Sequence, residues 1–305
     1  MESPDKTLIV VVGPTASGKT GTAIEIAKYF HTEIISADSR QFYKEIPIGT
    51  AAPNSQQLAQ VKHHFVGQLS IADDYNVSRF EQDVINLLDE KFKSHNVMVM
   101  AGGSGLYIDA VCNGIDELPS PDEQLRSSLN KKFEKEGIES LQQQLKVLDP
   151  VYYNQVDLQN PKRLLRAIEV CLQTGKRYSD LRKKNIATRD FNIVKVGLNL
   201  PREELFEHIN KRTDLMLEGG WFEEAKSVFP QRNLNSLNTV GYKELFKYLS
   251  GEWTLDLAIE KIKTNTRRYA KRQLTWFKRD ESIHWFSPFD MGRIIDYLSQ
   301  NILKR

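Results

Sequence analysis

TLIVVVGPTASGKT, residues 7–20, joins a strand-length apolar run to a glycine loop. The spacing is Gly13, four residues, then Gly18-Lys19-Thr20, which fits the phosphate-loop pattern. Glycines let successive backbone N–H groups turn toward one concave point, where they cradle phosphate oxygens. Lys19 adds positive charge there, and the Thr20 hydroxyl suits a phosphate-bound Mg2+. The motif has meaning only between a strand and a helix. Residues 21–27, GTAIEIA, supply the helix, with Ile24 and Ala27 at helical spacing. The stretch Gly13, Pro14, Thr15, Ala16, Ser17, Gly18, Lys19 and Thr20 is therefore expected to bind a di- or triphosphate.

Outward from the loop, short apolar runs alternate with helical patterns, as in a parallel α/β sheet. Residues 33–37 read as a second strand. Ser78 can cap a helix to about residue 93 that carries Phe80, Val84, Leu87 and Leu88 on one side. Residues 97–101 form a buried strand before a second glycine turn, Gly102-Gly103-Ser104-Gly105, and another helix. Thr20, Asp38 and Ser104 all fall at carboxyl ends of strands, where such sheets hold their ligands.

The pattern changes at Leu118-Pro119-Ser120-Pro121, with Ser120 as a helix cap and Pro121 at the first helical position. From there to about Lys184 only helical patterns occur, including one capped by Asn160, starting at Pro161 and closed by Gly175. A strand at 191–200 follows, then helices at 202–218, 221–229, 242–249 and 254–279, a strand at 284–286 and a helix at 289–303. The expected fold is an α/β, P-loop NTPase-like parallel sheet flanked by helices, with an all-helical insertion domain and a helical C-terminal part. The corresponding segments are 1–115 for the first part of the core, 116–190 for the insertion and 191–305 for the remainder.

With 305 residues, 27% of them charged and 40% hydrophobic, the composition is that of a globular protein. Its longest apolar runs are strand-length, so no membrane-spanning helix is expected. The N-terminal residues lack a signal peptide's charged start and cleavage site, and a cytoplasmic location is expected. Cys112 and Cys171 lie outside any metal-ligand spacing and read as buried free thiols. His63 and His64, adjacent on a strand, point to opposite faces and read as structural. Trp276-Phe277 and Trp285-Phe286 read as core.

Net charge is only +2, but its distribution is uneven. Residues 261–279 hold eight Lys or Arg and no acidic residue, and residues 162–189 hold nine against Glu169 and Asp180. Such zones suit either a polyanion or a solvated helix face. Within the second zone Arg163 and Arg166 lie three apart on one helix. Within the first, Lys263, Arg267 and Lys271 form an i, i+4, i+8 stripe, with Lys261, Arg268 and Arg272 nearby.

Several segments in order resemble the tRNA dimethylallyltransferases, the IPP transferase family. They are GPTASGKT at 13–20, ISADSRQFYKEIPIGTAAP at 35–53, HHFVG at 63–67, AGGSGLYIDA at 101–110 and NPKRLLRAIEV at 160–170. RTDLMLEGG at 212–220, TVGYKELFKYLSG at 239–251 and TRRYAKRQLTWFKRD at 266–280 complete the match. Ser104 stands where the family usually has Thr, Arg40 where it has a hydrophobic residue, and Ala52 where it often has Lys.

The resemblance implies transfer of a dimethylallyl group from dimethylallyl diphosphate to N6 of adenine 37 of tRNA. The phosphate loop then holds a leaving diphosphate with Mg2+, and Arg212 assists it. Without the resemblance, Arg212 reads equally well as a surface arginine paired with Asp214 or Glu207. Asp38 is implied as the base for the N6 proton, against readings as a metal ligand or a helix cap. Contacts to the tRNA anticodon stem-loop are implied at Asp38, Ser39, Arg40, Gln41, Ser104 and Arg126. They continue at Lys162, Arg163, Leu164, Leu165 and Arg166, and at Asn238, Thr239, Val240, Gly241, Tyr242 and Lys243. A monomer without membrane partners is expected. Two alternatives use the same loop: a small-molecule kinase binding ATP, and a non-enzymatic RNA-binding module.

Overall fold

The computed structural model describes residues 6–116, 118–182 and 187–302. Contacts gather Met1–Cys112 and Thr188–Arg305 into one compact unit and Asn113–Ala187 into a second.

In the first unit the chain runs β1 (Thr7–Val12), α1 (Lys19–Tyr29), β2 (Ile34–Ser36), α2 (Ser55–Gln60), β3 (His63–His64), α3 (Val77–Lys91), β4 (Val97–Gly102) and α4 (Gly105–Asn113). Every residue of β1 is buried, as expected of a central parallel strand covered on both faces. The six strands are ordered β3-β2-β4-β1-β5-β6, all parallel, with β5 (Asn192–Leu198) and β6 (Ile283–Phe286) arriving late in the chain. Register aligns Val12 with Gly102 and Gly197, and Ser36 with Ala101. The loops after β1, β2 and β4 therefore open on one edge of the sheet. A methyl on Gly102 would collide with the Ala37 backbone, so the loops after β2 and β4 approach each other as closely as glycine allows.

The second unit contains α5 (Glu123–Glu136), α6 (Ile138–Leu148), α7 (Pro150–Tyr153), α8 (Pro161–Thr174) and α9 (Tyr178–Leu181) around Leu129, Leu141, Leu145, Leu164 and Ile168. Asn160 caps α8 by accepting from the Arg163 N–H, and Gly175 closes it with φ of 65°. The cap of α5 is Asp122, not Ser120. Its carboxylate accepts from Leu125 N–H at 2.9 Å, and its own N–H donates to Glu169, which fixes the start two residues later.

Returning to the first unit, the chain forms α10 (Arg202–Glu218), α11 (Trp221–Val228), α12 (Tyr242–Leu249), α13 (Leu255–Phe277) and α14 (Met291–Ile302). One helix is absent from the sequence reading: α2 buries no residue, so it has no apolar periodicity. β3 is confined to His63 and His64, the pair expected on a strand. α3 starts at Val77 because Asn76, rather than Ser78, accepts the capping N–H of Arg79. The expected end of the insertion near Lys184 and of the last helix at 303 lies outside the described residues.

Candidate active site

The phosphate loop begins at the carboxyl end of β1. Gly18 caps α1 with φ of 85°, and Ala16 takes φ of 66°, a conformation unusual for a residue with a side chain. Strain of this kind persists where surrounding structure imposes it. The loop floors a cavity of about 430 Å3 that Asp38, Gln41, Thr50, Ala51, Arg212 and Gln273 also line.

Two buried polar atoms in this loop region have no hydrogen-bond partner: Ser17 Oγ, on a side chain with no exposure, and Arg212 Nε. Arg212 does spend one terminal nitrogen on the Thr15 hydroxyl, at 2.6 Å. Lys19 Nζ donates to the Pro14 carbonyl at 2.7 Å. Burial lowers the Lys19 pKa to about 8, with Asp38 opposing the shift and Arg212 adding to it. Burial likewise lowers Arg212. Orphaned polar atoms and desolvated cations around one cavity are the arrangement that an oxyanion completes.

Asp38 follows β2 and accepts from the Arg40 N–H at 3.1 Å. Burial pushes its carboxyl pKa up, against the Arg40 N–H and the charges of Lys19, Arg40 and Arg212. A second cavity, of about 80 Å3, is lined by Asp38, Arg40, Thr239, Val240 and Tyr269, and shares Thr15, Thr50, Ala51 and Arg212 with the first. Asp38 thus stands on a wall common to both cavities. The Ser104 hydroxyl accepts from Ser39 N–H at 2.9 Å, and Gln41 donates to the Thr50 and Ala51 carbonyls.

The loop Ile48–Ala51 is held from α11. Glu224 accepts from the Ile48 and Gly49 N–H groups at 2.8 and 2.7 Å and from the Tyr242 hydroxyl. Tyr242 has no exposure, so its side chain supports this loop and does not reach an RNA. A methyl on Gly49 would collide with the Trp221 indole nitrogen and the Tyr242 hydroxyl. Gly49→Ala is expected to cost about 1–3 kcal/mol of stability through overpacking. Thermal unfolding checks this, and an unchanged melting temperature would refute the clamp.

Other expected contacts need correction too. Leu164 has no exposure and belongs to the core of the second unit. Arg126 and Arg166 each bind Glu169 at 2.8 Å, and Arg166 also reaches the Pro119 carbonyl. Buried Glu169 would be left uncompensated without them, which ties both arginines to folding. Lys162, Arg163, Asn238 and Lys243 are exposed, while Leu165 is partly buried against the helical core. Lys263 pairs with Asp214 at 2.6 Å and Arg267 bonds Asn210, so two of the three residues of the expected basic stripe face α10; Lys271, with the neighbouring Arg268 and Arg272, remains exposed. With Asp214 bound by Lys263, Arg212 turns to Thr15 instead. His64 binds Glu33, and His63 the Val61 carbonyl.

Sequence reasoning missed Gln273, Tyr269, His208 and Lys211, all lining these cavities. Gln273 and Tyr269 sit in the quoted YAKRQ segment, whose most evident signal is its positive charge.

A family model described as IPP transferase matches residues 41–280. The chain is 52% identical over 297 residues to tRNA dimethylallyltransferase 1 of Bacteroides fragilis, covering 97% of this chain and 99% of that one. It is 51% identical over 297 residues to the tRNA dimethylallyltransferase of Christiangramia forsetii, covering 97% and 98%. Among solved structures it is similar to a tRNA isopentenylpyrophosphate transferase from Bacillus halodurans (32% identity, TM-score 0.73, 98% and 97% covered). It is also similar to a eukaryotic dimethylallyltransferase acting on tRNA (26% identity, TM-score 0.83, 98% and 80% covered).

Proposed function

The chain belongs to the IPP transferase family and is a tRNA dimethylallyltransferase, and we propose that its two joined cavities bring dimethylallyl diphosphate and adenine 37 together at Asp38. The relatives are named as transferases, so the kinase and non-enzymatic readings of the phosphate loop give way.

In this reading Thr15 to Thr20 and Arg212 bind the donor diphosphate. Ser17 Oγ and Arg212 Nε gain the partners they lack. The oxygen donors of the site, the Thr20 hydroxyl and the phosphates, fit Mg2+, a hard cation that keeps its waters and favours phosphate ligands. When bound, Mg2+ neutralises the charge that leaves with the diphosphate. The adenine leaves its stack to enter the smaller cavity, as target bases of other modifying enzymes do. Its N6 lone pair forms the C–N bond to the allylic carbon while the C–O bond to diphosphate breaks and its electron pair departs with the leaving group. The N6 proton passes to Asp38, whose carboxylate also orients the amine.

The observation that carries this reading is the position of Asp38 on the wall between the cation-lined cavity and the second cavity. Incubation with unmodified tRNA and dimethylallyl diphosphate, followed by nucleoside mass spectrometry, is expected to give N6-(dimethylallyl)adenosine at position 37. Absence of that product from folded protein would overturn the reading.

The anticodon stem-loop is held, in the same proposal, by Asp38 to Gln41, Ser104, the exposed Lys162 and Arg163, Asn238 to Val240 and Lys243. The protein acts as a monomer in the cytoplasm, where its substrate tRNA resides. Replacing Lys162 and Arg163 together by alanine is expected to reduce the slope of log K against log salt by about two, one per phosphate contact. An unchanged slope would return that face of α8 to solvent. No helix among the described residues is long and apolar enough to cross a membrane.

A further inference from the structure

Gln273 lies in α13, is only 5% exposed, and uses both ends of its side-chain amide. Its Oε1 accepts from the Thr15 N–H at 2.8 Å, and its Nε2 donates to the Gly103 carbonyl at 2.8 Å. Thr15 is in the phosphate loop after β1, and Gly103 is in the turn after β4. The pairing of those neighbouring strands ends at Val12 and Gly102, so nothing in the sheet ladder fixes the separation of the loops beyond it. Gly103 leaves room for the amide, because a methyl there would collide with Nε2.

Each partner loop leads into one side of the site. The Thr15 hydroxyl receives Arg212, and Ser104, next to Gly103, receives the Ser39 N–H beside Asp38. We propose that Gln273 is a positioning residue that sets the spacing between the diphosphate cradle and the adenine-holding segment for prenyl transfer. The proposal rests on the function proposed above. Both ends of its amide are taken up by backbone groups, so it acts through Thr15 and, by way of Gly103, through Ser104.

Three variants and a pH series test it, using intact tRNA and single-turnover transfer. Gln273→Leu and Gln273→Met keep the volume but leave Thr15 N–H and Gly103 C=O unpaired. Transfer is expected to slow by roughly 10–10²-fold at all pH values, since misplacement of about 1 Å costs up to about 10²-fold. The Kd for tRNA should stay within about twofold. Gln273→Glu behaves differently. An ionised carboxylate accepts from Thr15 but cannot donate to Gly103, whereas a protonated carboxyl does both, as glutamine does. Its rate relative to wild type should therefore rise as pH falls.

Lys19, Asp38 and Arg212 line the donor cavity with position 273, and His208 and Lys211 line it from α10. Tyr107, Tyr269 and Arg272 flank the position on its other side. All are common to both proteins. An ionised glutamate that merely raised the pKa of Asp38 would make the ratio fall in acid, the opposite sign. One that merely repelled the diphosphate would leave the uncharged Leu and Met variants near the wild-type rate. The proposal is overturned if wild type makes product and the Leu or Met variant matches its rate. It is equally overturned if the Gln273→Glu ratio is flat or falls with acid, and this isosteric variant decides alone should the others fail to fold. If wild type itself makes no product, the functional reading fails first.

Discussion

Asp38→Asn is expected to bind tRNA and dimethylallyl diphosphate nearly as wild type does while single-turnover transfer falls by roughly 10²–10⁴-fold. Asparagine keeps the size and can accept a hydrogen bond from N6, but it carries no charge and takes no proton. The carboxyl pKa is raised by burial, so the active, ionised form is lost as pH falls through a value above the ordinary aspartate range. Wild-type transfer should thus decline in mild acid, and the Asn variant should lose that dependence. If Asp38 instead holds Mg2+, the variant's defect will be rescued at high Mg2+, so kinetics across an Mg2+ titration separate the two roles. Full rescue would remove Asp38 from proton transfer.

Lys19→Ala removes the ammonium nearest the loop's own backbone and is expected to lower turnover by about 10²–10³-fold in a folded protein. The Lys19 pKa of about 8 adds a second readout. In the free protein the lysine is charged below that value and neutral above it, so kcat/KM for the donor should fall as pH rises through about 8. The alanine variant should lose this limb, because it has no ammonium to titrate. Wild-type turnover by the variant would sink the phosphate-loop assignment, and an alkaline limb that persists would move the titrating group elsewhere.

The central strand, the phosphate loop and the helices of the C-terminal part were legible because their signals are local. An apolar run, glycine spacing and 3.6-residue periodicity need no distant partner. α10 and α12 were read at their observed bounds for that reason. The site divides the same way. Lys19 and Thr20 are fixed by the motif, and Asp38 by its place at a strand end. Gln273 and Glu224 are not legible in this way, because each acquires its role from backbone groups far away in sequence: Thr15 is 258 residues from Gln273, and Ile48 is 176 from Glu224. Charge runs misled for a related reason. Arg126 and Lys263 meet carboxylates that only the fold brings near them, and Arg166 meets Glu169 one turn along its own helix, so counting basic residues overstated the surface open to a polyanion.

The placement of β1 between β4 and β5 also matters while the protein is being made. A ribosome completes Val12 long before Asn192 exists, and at about 5–20 residues per second the delay is roughly 10–40 s. Throughout that interval one side of a strand whose residues 8–12 are all apolar has unpaired N–H and C=O groups, the kind of edge that recruits other chains. Helices α5 to α9 emerge during the wait and hold their own apolar core, so they can fold while the sheet is still open. The half-made sheet is then the nascent species in greatest need of a chaperone, and slowing translation between residues 113 and 192 should raise aggregation more than slowing it after β6.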